Sequence, residues 1–190
     1  MKKEIITIVG VPGSGKSSTA DLVAARLDFQ RFSPGDFMRK MALETELSLN
    51  ELGKKAEEDG GEIDRKIDEE TRKIGKKEKI VLDSRLGFHW IPESFKVFLD
   101  LPLRISAERI FNNLESNKLR AASEGKASKE EVYKKITARL ESEKKRFKEL
   151  YGIADYTDKN HFDLVVDTDK NNLEQVVNIV IAEYKKWLGH

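Results

Sequence analysis

Residues 5–17 read Ile5-Ile-Thr-Ile-Val-Gly10-Val-Pro-Gly-Ser-Gly15-Lys-Ser17, an apolar run entering a glycine-rich turn that closes on a lysine and a serine. The spacing from Gly10 to Gly15-Lys16-Ser17 fits GxxxxGK[ST], the phosphate-binding loop. Glycines at 13 and 15 let the backbone bend sharply and bring its N–H groups close to an oligophosphate. A helix opening near Gly15 points its positive end at the same oxygens. Lys16 is then expected to reach the β- and γ-phosphates and the Ser17 hydroxyl to bind Mg²⁺. Gly10, Pro12, Gly13, Ser14, Gly15, Lys16, Ser17 and Ser18 are the residues expected to hold ATP.

Composition narrows the chemistry that such a loop can serve. A chain of 190 residues is long enough to bury a full core and is read as one domain, 1–190. Lys plus Arg number 35 against 34 Asp plus Glu, which lacks the basic excess of a nucleic-acid binder. Charged residues make up 36%, above the roughly one quarter of ordinary soluble domains. Surface ion-pair networks or a well-solvated helical surface both account for that excess. The chain has no cysteine, which rules out disulfides and thiolate chemistry. His89, His161 and His190 are too scattered for a metal site. No apolar run approaches the ~20 residues of a membrane span, and a cytoplasmic protein that meets no membrane is expected.

Apolar runs alternate with helical periodicity, the pattern of a parallel sheet covered by helices. Strands are predicted at 5–9, 29–32, 80–82, 97–99 and 164–166. Ala20, Val23, Ala24 and Leu27 repeat at helical spacing between the first two. Residues 36–77 hold no convincing strand and read as two or three helices. One of these opens on a capping box at Ser48 and Glu51. A helix follows Pro102 through Ile105 and Ile110, and residues 115–128 are polar and loop-like. Ser128 with Glu131 is a second capping box, opening a helix to about Tyr151 with an apolar stripe of Val132, Ile136, Leu140, Phe147 and Leu150. A last helix spans 173–188, its core face carrying Val176, Val177, Val180 and Ile181. The whole is a doubly wound α/β sheet, in which ligands bind at the carboxyl ends of the strands.

Those strand ends carry the chemistry. Asp83 closes an apolar run ahead of Ser84 and Arg85, as expected of a carboxylate that holds Mg²⁺ or its waters. Asp100 also ends a strand, but the Leu-Pro after it reads as a turn into a helix, so Asp83 is preferred. Arg39, in Ser33-Pro-Gly35-Asp36-Phe-Met-Arg39, and Arg85 can grip an acceptor phosphate bidentately. Arg139 and Arg146 fall about two turns apart on one helix face. With Lys118 and Arg120 they could close over a triphosphate and exclude water. Intrahelical ion pairs with Glu141, Glu143, Lys144 and Lys145 are the plainer reading of that helix. For Asp64 and Arg65 the residues themselves favour a solvated helix face.

These stretches resemble the nucleoside monophosphate kinases, and among them the archaeal-type cytidylate kinases. Ser33–Arg39 and Asp83-Ser-Arg85 carry the likeness. So do Lys54–Asp59 leading into Glu62–Asp68, Arg139–Arg146, Phe147–Ile153 and Asp163–Thr168. The resemblance covers nearly the whole chain. It implies a P-loop NTPase fold, with a five-stranded parallel sheet in the order 2-3-1-4-5. Two helical excursions are implied, an acceptor-binding region at 36–78 and a lid at 112–128. It implies transfer of the ATP γ-phosphate to a nucleoside monophosphate, CMP or dCMP, with Mg²⁺, by a monomer. Lys16, Asp83, Arg139 and Arg146 would be catalytic. Gly35, Asp36, Arg39, Asp64, Arg65 and Arg85 would bind the acceptor. Other small-molecule P-loop kinases, of the adenylate or dephospho-coenzyme A type, and a non-catalytic ATP-gated binding module are the rival readings.

Overall fold

The first strand, β1 (Ile5–Gly10), is buried along its full length because it lies in the middle of the sheet. In the computed structural model the described residues are 2–47, 55, 59–116 and 128–189, with the side chains of Arg39 and of 114–116 outside that set. The capping box expected at Ser48 and Glu51, and the expected lid residues Lys118 and Arg120, lie outside the described residues. β2 (Gln30–Phe32), β3 (Ile80–Asp83), β4 (Phe95–Asp100) and β5 (Leu164–Asp167) complete the sheet. Its order is β2-β3-β1-β4-β5, and every pairing is parallel. The register sets Ile8 against Asp83 on one side and Val97 on the other. The ends of β1 and β3 therefore open side by side, where the topology reverses.

Helices cover both faces. α1 (Lys16–Leu27) and the C-terminal helix (Leu173–Leu188) cover one face. There Ala20, Val23, Val177 and Val180 pack on Ile6, Ile8 and Val97. On the other face lie a helix over Leu103–Ser116 and a longer one over Lys129–Tyr151. Ala107, Val132, Ile136, Leu140 and Phe147 from these two pack with Val9 and Phe98. Burying each such aliphatic side chain is worth about 1.5–3 kcal/mol. Pro34–Glu44 and Glu62–Ile74 form two further helices, which share a small cluster of Ala42 and Ile63 apart from the main core. A short helix, Gly87–Trp90, comes after β3. In chain order the helices are α1 (16–27), α2 (34–44), α3 (62–74), α4 (87–90), α5 (103–116), α6 (129–151) and α7 (173–188).

Among the described residues the predicted strands and the helices predicted at 17–27, after Pro102, at 129–151 and at 173–188 are present, with local differences. α4 is too short to carry a period and was not anticipated. α5 continues to Ser116, slightly past the predicted start of the loop. On α7, Ile181 packs half-buried against the core as expected, and Tyr184, not anticipated there, is buried with it. On α6, Leu150 is half-buried and Glu143 occupies the stripe instead. A carboxylate in that stripe bears directly on the site.

Candidate active site

The loop between β1 and α1 is shaped by its glycines. A Cβ on Gly10 would stand 2.7 Å from both the Leu99 carbonyl and Ser14 Oγ, so only glycine fits. Gly13 and Gly15 have φ of 76° and 88°, where other residues are strained. Gly15 is the N-cap of α1, with no side chain covering the first turn, so that turn's N–H groups face the loop. From α5, the Ser106 hydroxyl donates to the Pro12 carbonyl at 2.5 Å. That bond braces the loop against a helix distant in sequence. Ser14 Oγ is buried beneath the loop with no hydrogen-bond partner among the described residues. Ser17 and Ser18 are exposed.

Lys16 turns back over the loop and donates from Nζ to the Gly10 and Val11 carbonyls, both at 2.9 Å. Burial lowers its pKa to about 8, with the Arg85 guanidinium adding to the fall and Asp83 and Glu143 opposing it. The Ser17 hydroxyl donates to Asp83 Oδ2 at 2.7 Å, joining the start of α1 to the end of β3. Arg31, on β2, faces the same carboxylate at 3.7 Å and also pairs with Asp21 and Asp36 at 3.0 and 2.7 Å. Asp100, the competing strand-end acid, is taken up instead by Lys159 at 2.6 Å.

A hydroxyl and a carboxylate side by side fit Mg²⁺. This ion keeps several waters and takes only one or two protein carboxylates besides substrate phosphates. Among the described residues no cluster of three or more His, Asp or Glu could hold a metal without a nucleotide.

The arginines meet around Glu143. Arg85 Nε lies 2.7 Å from Glu143 Oε2, although its N–H makes no aligned hydrogen bond; the pair is a charge contact. Arg139 Nε donates to Glu143 Oε1 at 2.9 Å and the Tyr156 hydroxyl to Oε2 at 2.8 Å. Burial works against the Glu143 carboxylate, but Arg85 and Arg139 hold its pKa below the ordinary value. Arg85 is half-buried; desolvation works against its charge, and Glu143, Tyr156 and Asp83 together more than offset that cost. One turn further along α6, Arg146 Nε sits 2.8 Å from Asp64 Oδ2, linking α6 to α3. Burial raises the Asp64 pKa, against the pull of Arg146.

The expected residues are therefore not all brought together. Lys16, Ser17, Asp83, Arg85 and Arg139 form one connected electrostatic group. Asp64 is buried and turned towards Arg146, contrary to the solvated face its local sequence suggested. Arg65 is exposed and donates to the Gly60 carbonyl at 3.1 Å, away from that group. Gly35 N–H donates to Ser33 Oγ at the N-cap of α2, and Asp36 pairs with Arg31. Arg39 lies on α2, about one turn beyond Asp36.

Sequence reasoning passed over Glu143, Arg31 and Ser106. Glu143 had a signal, because it continues the stripe of Ile136, Leu140 and Phe147. Arg31 and Ser106 had none, since their partners come from distant segments. A cavity of about 610 Å³ lies elsewhere, lined by Phe88, His89, Tyr151 and His161 among others. No residue of the loop, α2 or α3 lines it.

Comparison with known proteins sets this geometry in a family. The family model described as AAA domain matches residues 9–132. The cytidylate kinase of Methanocaldococcus jannaschii is 35% identical over 181 residues, covering 93% of this chain and 94% of that protein. The chain belongs to the cytidylate kinase family. That of Methanocella arvoryzae is 36% identical across 96% of this chain and 99% of its own. Among solved structures, shikimate kinase from Aquifex aeolicus aligns with a TM-score of 0.58 at 22% identity, over 98% of this chain and 99% of its own. At that identity the likeness shows the fold alone. As a member of this family the chain is an ATP-dependent nucleoside monophosphate kinase. Among the described residues no helix is long and apolar enough to cross a membrane.

Proposed function

We propose that this kinase moves the γ-phosphate of ATP to CMP or dCMP, with Mg²⁺, in a single domain acting as a monomer and without nucleic acid. The observation that carries this reading is the convergence of two strand ends. The β1 loop brings Lys16, β3 brings Asp83 against Ser17, and Arg85 stands next to both. The choice of cytosine rests on the likeness to named cytidylate kinases along nine-tenths of the chain.

Phosphoryl transfer asks for positioning and for cations where negative charge spreads over the moving group. Lys16 leaves the Gly10 and Val11 carbonyls and donates to the β- and γ-phosphate oxygens. The glycine-lined loop and the open first turn of α1 take the remaining oxygens. Ser17 and Asp83 would hold Mg²⁺, which would supply positive charge against the phosphates. Arg139 and Arg146 supply further positive charge from α6, as part of a lid with 112–128. Arg39 and Arg85 take the acceptor phosphate, within a 36–78 region where Gly35, Asp36, Asp64 and Arg65 line the monophosphate pocket.

ADP release from ATP and Mg²⁺ with each common monophosphate in turn tests the substrate. CMP and dCMP are expected to give the highest kcat/KM. Turnover of AMP, shikimate or dephospho-coenzyme A alone would move the chain to a sister activity. ADP release with none of them would leave an ATP-gated binding module. The Arg39→Ala variant is expected to raise the CMP KM at least tenfold, roughly the 1.4 kcal/mol or more of a lost charged contact. An unchanged KM would remove Arg39 from the acceptor site.

A further inference from the structure

Glu143 is a buried acid on a helix otherwise packed by its apolar stripe, and it touches three side chains from three parts of the chain. Arg85 comes from the end of β3, Arg139 from one turn earlier on α6, and Tyr156 from the segment after α6. Two of these are arginines whose charges bear on Lys16. An uncompensated buried charge is costly, so the carboxylate and the two guanidiniums hold one another in place.

We propose that Glu143 is a positioning residue of the kinase. Its two oxygens fix the directions of Arg85 and Arg139, and Tyr156 fixes Glu143. This rests on the monophosphate kinase reading for the roles of the two arginines. Glu143 touches no reacting atom and acts only through the arginines.

Two properties of one carboxylate, where its oxygens sit and the charge it carries, can be separated by substitution. Glu143→Asp keeps the charge and withdraws the oxygens. Glu143→Gln keeps the shape and removes the charge. Misplacing a positioned group by about 1 Å can cost up to a hundredfold.

Glu143→Asp is therefore expected to raise the monophosphate KM roughly tenfold and, through Arg139, to weaken ATP binding a few-fold, with a smaller change in kcat. Glu143→Gln is expected to raise that KM at least as much, because both guanidiniums lose the charge that holds them. A loss of folded enzyme alone would lower kcat and leave KM unchanged.

Tyr156→Phe deletes one hydroxyl and keeps the ring in the core. It serves if the other variants fold poorly, and it is expected to raise the KM a few-fold. Steady-state kinetics with each substrate, beside calorimetric ATP titrations, read the outcome. Parental KM values in Glu143→Asp and Tyr156→Phe would overturn the positioning role. If the parent phosphorylates no monophosphate, the acceptor reading fails, and an unchanged ATP affinity in Glu143→Asp would then overturn the role of Glu143 as well.

Discussion

Lys16 shows how one side chain can cost the fold and serve the site. Burial and Arg85 depress its pKa from 10.5 to about 8, so the folded protein carries this ammonium at a cost at neutral pH. A lowered lysine pKa penalises the folded state below about 8, and the penalty lifts as pH rises towards 10.5. Lys16→Ala is expected to lower kcat by a hundredfold or more, the scale of a lost transition-state charge contact. Its melting temperature at pH 7 should be no lower than the parent's. Activity near the parental level would mean that the loop is not the donor site.

Glu143 titrates in the opposite sense. Its folded pKa lies below the ordinary 4.5, so its stabilisation is complete above that value and is lost as pH falls through the depressed one. The melting-temperature gap between the parent and Glu143→Gln should be widest near neutrality and close below pH 4.5. A gap independent of pH would contradict the ion pairing.

Legibility at this scale depended on distance along the chain. Gly10, Gly13 and Gly15 declare a backbone geometry within a few residues of one another. Of the partners of Glu143, Arg139 is one turn away on the same helix, and the intrahelical ion pairing expected there is present. Arg85 and Tyr156 are distant in sequence, and only the fold brings them to Glu143. The stripe of α6 marked the position.

At the scale of elements, caps were the most legible signals. Ser128 and Glu131 form the reciprocal capping box read from sequence, with Ser128 Oγ accepting from Glu131 N at 3.2 Å and Glu131 accepting from Ser128 N at 2.6 Å. Asn172 and Gln175 do the same for α7, with an asparagine cap that sequence reasoning passed over. Ser128→Ala is expected to cost about 1 kcal/mol, lowering the melting temperature of a chain this size by about 2–4 °C. The bonds of this cap run within its own turn, so ATP binding should hardly change. A loss of ATP affinity matching the loss of stability would mean that the start of α6 is part of the donor site. The short helix α4 escaped notice because a single turn has no period to detect.

At the scale of the whole molecule, the alternation of apolar runs with helical stretches was sufficient for the parallel, doubly wound sheet. The P-loop then located the site, because β1 is central and its end borders the topological reversal. Which arginines face one another was not legible, since that depends on how α3, α5 and α6 pack beyond the sheet.

The two-substrate arrangement predicts that one molecule joining adenosine and cytidine through a chain of phosphates should bind better than either nucleotide. Saturating amounts of it should raise the melting temperature more than ATP or CMP does separately. A shift no larger than that of ATP would leave the donor half of the site without an acceptor half.

The most direct measurement is label transfer. ATP labelled at the γ-phosphate is incubated with the protein, Mg²⁺ and an equimolar mixture of CMP, dCMP, UMP, AMP and GMP, and the labelled products are separated. A cytidylate kinase should place label in CDP and dCDP ahead of all others. Label in ADP, UDP or GDP with none in the cytidine diphosphates would contradict that assignment.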